Sequence, residues 1–192
     1  MAGAAPEVDG FDVRRPLQEK NEPVMLKKTP IIALIAITLA GLAGLWFMQA
    51  GTLNKAPASR FVLLDGSVRT ESDLLGKVTF VNFWATSCTT CVAEMPALMA
   101  TDDKFRSRGY QTVAVAMSYD PPSYVVNFAQ TRKLPFAVAI DNTGANAKAW
   151  GDVGITPTSY LVDKRGQIVK RYVGAPEMAE LHKLIEKLLA EA

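Results

Sequence analysis

The chain has 192 residues, which is enough for one domain of ordinary size and one further segment. Its 21 basic and 19 acidic side chains give a formal net charge of +2, a balance that argues against a nucleic-acid partner. Two cysteines and one histidine are too few ligands for a structural zinc site within one chain.

The first fifty residues divide into a polar tail and an apolar segment. Residues 1–29 carry mixed charge and few large apolar side chains, which predicts a disordered cytoplasmic tail. Residues 30–50 contain no charged side chain and have about the length of a membrane-spanning helix. We therefore expect one transmembrane helix at 30–50, in contact with the lipid bilayer. A cleavable signal peptide and a buried core helix are the alternatives.

The distribution of basic residues predicts how that helix is oriented. Lysine and arginine are more frequent before the apolar segment than after it, and Lys27 and Lys28 lie close to its start. This places the N-terminus in the cytoplasm and the C-terminal part on the periplasmic side of the cytoplasmic membrane, where disulfides persist. Residues 51–58 are then a linker, and residues 59–192 form the folded domain.

Strand and helix signals alternate along the C-terminal domain. The apolar, β-prone run from Lys77 to Phe83 is typical of a central strand buried on both faces. The predicted elements are a hairpin at 60–69 turning at Asp65-Gly66, a helical turn at 70–75, strands at 77–83, 110–118 and 136–140, helices at 88–108, 122–133 and 145–150, a hairpin of strands 158–163 and 167–173, and a helix at 176–190. This order predicts an α/β fold with a mixed sheet.

The two cysteines stand as Cys-Thr-Thr-Cys between a predicted strand and a predicted helix. At the start of a helix, unpaired N–H groups and the helix dipole favour the thiolate of Cys88, which makes it the attacking group. Cys91 follows three residues later on the same helical face and can close a disulfide that releases a bound partner. A purely structural disulfide fits less well, because it gains stability from closing a long loop. The pair predicts a redox-active disulfide that needs no metal or other cofactor.

Several motifs together resemble the thioredoxin superfamily over residues 59–192. They are Phe-Trp-Ala at 83–85, the cysteine pair, Pro96 within the following helix, and Ile-Thr-Pro-Thr at 155–158. The segment WATSCTTCVAEMP and the N-terminal apolar segment resemble the membrane-anchored TlpA/ResA-like thiol-disulfide oxidoreductases, relatives of the cytochrome c maturation thioredoxins. The resemblance implies a thioredoxin-like fold, with a central mixed sheet flanked by helices, preceded by one transmembrane helix.

The same resemblance implies roles for individual residues. Pro157 matches the family's cis-proline, Thr156 matches the residue before it, and both are expected to bind substrate together with Trp84. Without the resemblance, Pro157 would be an ordinary turn proline. Glu94 matches an acidic residue found in the subgroup six positions after the first cysteine.

Glu94 is also a catalytic candidate by its own position. It lies three residues after Cys91, and a partly buried carboxylate there would have a raised pKa and could take the Cys91 proton. Typical thioredoxins carry an aspartate for this role on the preceding strand, but position 82 here is asparagine, which cannot titrate. The alternative is a surface glutamate paired with a basic residue.

The resulting hypothesis is a periplasm-facing protein-disulfide reductase. The resemblance implies disulfide-bearing protein substrates, such as apocytochrome c or a copper-delivery protein, and a membrane electron donor of the DsbD/CcdA type. Thr89-Thr90 lacks the histidine of strongly oxidising relatives, which favours a reductant over an oxidant, and Ser87 replaces a tryptophan common in relatives. The alternatives are a disulfide oxidant, a peroxidase, a redox-inert assembly protein and a copper metallochaperone, for which His182 is badly placed to supply the distal histidine ligand.

Overall fold

A computed structural model describes residues 55–191 of the chain. In chain order the elements are β1 Arg60–Val62, β2 Val68–Thr70, a 3₁₀ turn Glu71–Leu74, β3 Val78–Trp84, α1 Thr89–Phe105, a 3₁₀ turn Arg106–Arg108, β4 Tyr110–Ala116, α2 Pro122–Arg132, β5 Ala137–Ile140, α3 Ala145–Ala149, β6 Thr158–Val162, β7 Ile168–Val173 and α4 Met178–Ala190. The predicted tail at 1–29, the predicted transmembrane helix at 30–50 and linker residues 51–54 lie outside the described residues. Between residues 55 and 191, every helix is too short or too polar to span a bilayer.

Five strands form the central sheet in the order β5-β4-β3-β6-β7. Strands β3, β4 and β5 run parallel, whereas β6 pairs antiparallel with both β3 and β7. This confirms the predicted mixed sheet. Strand β3 takes the centre because all seven of its residues are buried, as its nearly continuous apolar sequence requires.

Successive residues of β3 supply two separate cores, because side chains of a strand alternate between its faces. Val78, Phe80 and Trp84 belong to one core, which α1, α2 and α4 cover. Val81 and Phe83 belong to the other, which α3, the first 3₁₀ turn and the β1–β2 hairpin cover. The predicted apolar stripe of α4 packs on the first face, where its buried members are Leu181, Ile185 and Leu188.

The N-terminal hairpin differs from the prediction at its turn. Val62 pairs with Val68, so five residues connect the strands where the sequence indicated a two-residue Asp-Gly turn. Within this connection the Leu63 N–H still donates to the Ser67 carbonyl at 2.8 Å, so three residues, 64–66, form the turn itself. The first residues of the connection also bond to β5. Leu63 forms a bridge with Ala139, and the Leu64 N–H donates to the carbonyl of Val138 at 3.1 Å. The hairpin is thereby attached to the edge of the central sheet.

Residues 55–58, expected to be linker, are bonded to the domain. Lys55 bridges Gln167, and the Ala56 N–H donates to the Gly166 carbonyl at 2.8 Å. Gly166 and Gln167 lie in the β6–β7 turn, at the end of the sheet where β3 begins, because β6 runs antiparallel to β3. The seven residues of β3 span roughly 20 Å. The described chain therefore begins at the end of the sheet remote from the carboxyl end of β3.

Candidate redox active site

The cysteine pair follows the short loop after β3, at the start of α1. Cys88 is the N-cap residue of α1, and its Sγ accepts a hydrogen bond from the Cys91 N–H at 3.1 Å. The two cysteines form a disulfide, with their Cα atoms 5.2 Å apart. Cys88 is partly exposed, whereas Cys91 is fully buried. Of the two cysteines, Cys88 is therefore the one on the partner-accessible side, and Cys91 lies in the interior.

The start of α1 stabilises a negative charge on the Cys88 sulfur. Once the disulfide is reduced, the Cys91 N–H can donate to the Cys88 thiolate in the same geometry, and the positive end of the helix dipole acts in the same direction. The helix continues through Pro96 to Phe105, so the first turns that carry both cysteines belong to one long helix.

Glu94 lies one turn beyond Cys91 and is only 6% exposed. Its Oε1 accepts a hydrogen bond from Asn82 Nδ2 at 3.0 Å. Burial raises the pKa of Glu94 from its ordinary value of 4.5 to about 7, and the bond from Asn82 partly opposes this rise. Oε2 accepts no hydrogen bond from any residue between 55 and 191. Glu94 is thus a buried carboxyl that changes charge near neutral pH and has one oxygen available for a proton.

Ser159 adds a third polar side chain to the Glu94–Asn82 pair, and the sequence reasoning did not identify it. It lies directly opposite Asn82 in the β3–β6 pair, where facing side chains project to the same side of the sheet. Asn82 Nδ2 donates to Ser159 Oγ at 2.9 Å as well as to Glu94. Only the strand register brings these residues together, because 77 positions separate Asn82 from Ser159 in the chain.

The loop before β6 lies at the cysteine end of the sheet. Thr158 pairs with Phe83 near the carboxyl end of β3, and the Thr156–Pro157 peptide is cis. Pro157 is buried, and its carbonyl accepts a hydrogen bond from the Gly174 N–H at 2.8 Å. Thr156 is partly exposed, and its Oγ1 lies 3.2 Å from the hydroxyl of Tyr119, within hydrogen-bonding distance.

Trp84 does not lie on the surface that a substrate could contact. Its side chain is fully buried, with its ring centroid 5.2 Å from that of Phe128. The expectation that Trp84 binds substrate is corrected accordingly: its indole packs in the core beneath the site. The exposed apolar groups of the adjoining loops are Tyr119, which is 58% exposed, and Ile155, which is 65% exposed. Neither residue carries a sequence pattern that could have singled it out.

A second buried carboxylate holds the loop before Cys88. Asp120 is 2% exposed; its Oδ2 accepts from the Thr86 N–H at 2.5 Å and its Oδ1 accepts from the Thr86 hydroxyl at 2.6 Å. These bonds join the β3–α1 loop to the β4–α2 loop. Asp120 could not be singled out from the sequence, because 34 residues separate it from Thr86.

His182 has a different environment from the cysteines. Its Nε2 lies 2.8 Å from Thr101 Oγ1, and its ring contacts the edge of Phe105. Burial, with a smaller contribution from Lys104, lowers the pKa of His182. Thr101 is ten positions after Cys91 on α1, which corresponds to about 15 Å of helix. Within the described part of the chain, no cluster of three His, Cys, Asp or Glu side chains is arranged to hold a metal ion.

Comparison with known proteins gives consistent matches. The family model described as Redoxin matches residues 52–186. The thiol-disulfide oxidoreductase ResA of Bacillus cereus is 31% identical over 173 residues, which cover 85% of this chain and 99% of that protein. The solution structure of a candidate thioredoxin from Neisseria meningitidis is 37% identical, with a TM-score of 0.68 over 72% of this chain and 92% of its own. A candidate thiol:disulfide interchange protein DsbE from Chlorobium tepidum is 28% identical, with a TM-score of 0.66 over 71% and 96% of the two chains.

Proposed function

The chain belongs to the Redoxin family and is a ResA/TlpA-like thiol-disulfide oxidoreductase of the thioredoxin superfamily, and from this we propose that it reduces disulfides in protein substrates. The proposal rests on one arrangement of side chains. Cys88 is partly exposed at the start of α1 and forms a disulfide with the buried Cys91, and the buried carboxyl of Glu94 lies one turn further on. This arrangement separates an outer attacking sulfur from an inner resolving sulfur and a proton acceptor.

The reaction proceeds in two exchanges. The Cys88 thiolate attacks one sulfur of a substrate disulfide; that S–S bond breaks, a mixed disulfide with Cys88 forms, and the first substrate sulfur leaves as a thiolate. Cys91 then loses its proton and attacks the Cys88 sulfur, which expels the second substrate sulfur and forms the Cys88–Cys91 disulfide. Two electrons pass from the cysteine pair to the substrate, and both released sulfurs take protons from water.

Glu94 supplies the proton acceptor for the second exchange. A buried thiol such as Cys91 is a poor nucleophile until it is deprotonated, and burial also opposes the formation of its thiolate. A carboxyl with a pKa of about 7 is matched to this task near neutral pH, since it is charged often enough to accept a proton and basic enough to hold it.

We further propose the cellular location, the electron donor and the substrates of this protein. Residues 30–50 anchor the chain as a single transmembrane helix, and the redox domain faces the periplasm. A membrane dithiol donor of the DsbD/CcdA type reduces the Cys88–Cys91 disulfide after each turnover, and the substrates are disulfides in cytochrome c or copper-site maturation. The uncharged segment at 30–50, which has about the length of a membrane-spanning helix, supports this anchor.

A trapping experiment tests the proposal. In the Cys91→Ser variant the second exchange cannot occur, so disulfide-linked complexes through Cys88 are expected to accumulate on non-reducing gels and to disappear with a reductant. The Cys88→Ser variant is the matched control and is expected to trap nothing, because its remaining cysteine is buried. Equal trapping by both variants, or by neither, would contradict the proposed roles.

The reduction potential of the cysteine pair decides the direction of electron flow. A reductant of protein disulfides is expected to have a potential well below that of a strong oxidant such as DsbA, about −120 mV. Equilibration of the full chain with glutathione buffers, followed by quantification of the two redox forms, gives this value. A result near the oxidant's potential would favour the disulfide-oxidant alternative.

A further inference from the structure

Asn82 connects two groups that lie on different elements. Its Nδ2 carries two hydrogens, and both are used: one bond goes to Glu94 Oε1 at 3.0 Å and the other to Ser159 Oγ at 2.9 Å. Asn82 and Ser159 are fully buried, and Glu94 is nearly so. The three polar side chains therefore form a continuous hydrogen-bonded group that is screened from solvent.

The orientation of the Asn82 amide determines what Glu94 experiences. An amide that presents its N–H stabilises the carboxylate form of Glu94, whereas the reversed amide would present an oxygen to a carboxylate and repel it. The two N–H bonds of one NH₂ group point in fixed, diverging directions, so the bond to Ser159 fixes the direction of the bond to Glu94. Asn82 Oδ1 accepts no hydrogen bond from residues 55–191, so nothing on that side of the amide holds it.

We propose that Ser159 is a positioning residue for the second exchange: its hydroxyl, through the shared Asn82 amide, orients the Glu94 carboxylate that takes the Cys91 proton. This rests on the role given to Glu94 in the proposed function. Asn82 from β3 donates directly to Glu94, Ser159 from β6 is linked to it through Asn82, and Cys91 precedes Glu94 by one turn on α1. None of the ion pairs formed within the described range involves Glu94. Its titration is therefore governed by burial and by this hydrogen-bonded group.

Loss of the Ser159 hydroxyl should slow the second exchange at neutral pH and leave the first unchanged. Without the Ser159 hydroxyl, the Asn82 amide loses its second anchor and its bond to Glu94 weakens. The carboxylate is then less stabilised, Glu94 holds its proton to higher pH, and Cys91 is deprotonated less readily at neutral pH. The first exchange, in which Cys88 attacks from the surface, uses neither Glu94 nor Ser159 and is expected to keep its rate.

A two-step chromogenic assay on the full chain measures both exchanges in one trace. The reduced protein attacks an aromatic disulfide whose thiol is coloured when released. The first release reports the attack by Cys88, and the second reports the attack by Cys91 on the mixed disulfide. The rate of each release is followed by stopped flow across a pH series that brackets the Glu94 pKa of about 7.

The variants are Ser159→Ala and the matched pair Ser159→Thr and Ser159→Val. Threonine and valine have nearly the same shape, so this pair differs in the hydroxyl while sharing any packing change. For Ser159→Ala and Ser159→Val we expect the midpoint of the second release to move to higher pH by about half a unit to one unit, with a second release about three- to tenfold slower below the midpoint. Ser159→Thr is expected to follow the wild type.

Three outcomes would overturn the proposal. Unshifted profiles for Ser159→Ala and Ser159→Val would do so, as would equal shifts for Ser159→Thr and Ser159→Val, which would assign the effect to packing. The third is an unchanged second release in Glu94→Gln, which would remove Glu94 as proton acceptor. In that last case trapping by Cys91→Ser would still report the thiol exchange itself, so the failure of this inference and that of the proposed function are distinguishable.

Discussion

The buried carboxyl of Glu94 affects folding as well as the proposed proton transfer. The folded state raises the pKa of Glu94 from 4.5 to about 7, so between these two values the folded protein binds a proton that the unfolded chain releases. The favourable effect of the bound proton is fully present below pH 4.5 and is lost as the pH rises through 7. Above that pH the fold contains a buried charge whose only hydrogen-bond donor among the described residues is Asn82.

Replacing Glu94 with glutamine should therefore stabilise the protein at alkaline pH. The free energies of unfolding of wild type and Glu94→Gln should be similar near pH 4.5 and diverge up to pH 7 and above, where the variant should be more stable by at most about 3 kcal/mol. Urea unfolding of both proteins, with the disulfide intact, measures the difference at each pH.

The matched control for this measurement is Glu186→Gln. Glu186 is about half exposed and forms a surface ion pair with Lys104, with 3.4 Å between the charged atoms. A pair of this kind contributes at most about 1 kcal/mol. Its removal should not produce the rising divergence expected for Glu94. Parallel stability curves for wild type and Glu94→Gln would show that the Glu94 carboxyl titrates alike in the folded and unfolded states.

At the scale of elements, the site depends on the loops that follow β3 and β4. Asp120 joins them, because one buried carboxylate accepts both the N–H and the hydroxyl of Thr86. Thr86 comes two residues before Cys88, so this contact sets where the first turn of α1 begins. The Tyr119 hydroxyl, one residue earlier in the same loop, contacts Thr156 of the loop before β6.

Breaking the Asp120 contact should affect the first exchange more than the second. In Asp120→Asn one acceptor oxygen becomes an NH₂ group facing a donor of Thr86, which should cost about 1–3 kcal/mol of stability and slow the attack by Cys88. Thr86→Val removes the hydroxyl bond but leaves the backbone bond, so both effects should be smaller. The chromogenic assay and urea unfolding measure them. If Asp120→Asn slowed only the second release, the loop contact would not be what positions Cys88.

Local patterns predicted the elements of this domain better than the contacts between them. The buried strand β3, the helix after the cysteines and the apolar stripe of α4 follow from periodicity, which a short stretch of chain contains in full. The β1–β2 connection is longer than the predicted two-residue turn, and its Leu63 and Leu64 also bond to β5. The Asp-Gly turn signal in the sequence does not include that contact.

The same distinction applies to the site. Cys88, Cys91 and Glu94 lie within seven residues of one helix, so their spacing alone indicates that they act together. Ser159 and Asp120 become part of the site only through strand register and loop packing over 77 and 34 residues. The burial of Trp84 could not be predicted for a similar reason. Its side chain is covered by Phe128 of α2, a helix far along the chain.

At the scale of the whole domain, the cysteines and the start of the described chain lie at opposite ends of the sheet. Residues 55–59 form a strap along the side of the second core. Ala56 bonds to Gly166, the Ser59 N–H donates to Glu71 Oε2 at 2.9 Å, and Trp150 Nε1 donates to Ser59 Oγ at 2.9 Å. None of these contacts involves a residue of the redox site. The strap should therefore contribute to stability without affecting thiol chemistry.

Two fragments test whether the strap affects stability alone, one that begins at Lys55 and one that begins at Arg60. Removing residues 55–59 deletes three hydrogen bonds to the rest of the domain and leaves the buried indole N–H of Trp150 without its partner, which should cost about 3 kcal/mol in the free energy of unfolding. Both releases in the chromogenic assay should keep their rates under conditions where each fragment is folded. Ser59→Ala in the longer fragment removes the Trp150 bond together with the bond from the Ser59 hydroxyl to the Pro57 carbonyl, and should cost about 1–2 kcal/mol. Equal stability of the two fragments would exclude the strap from the folded domain. A slower release in the shorter fragment would show instead that the end of the sheet remote from Cys88 is coupled to the cysteines.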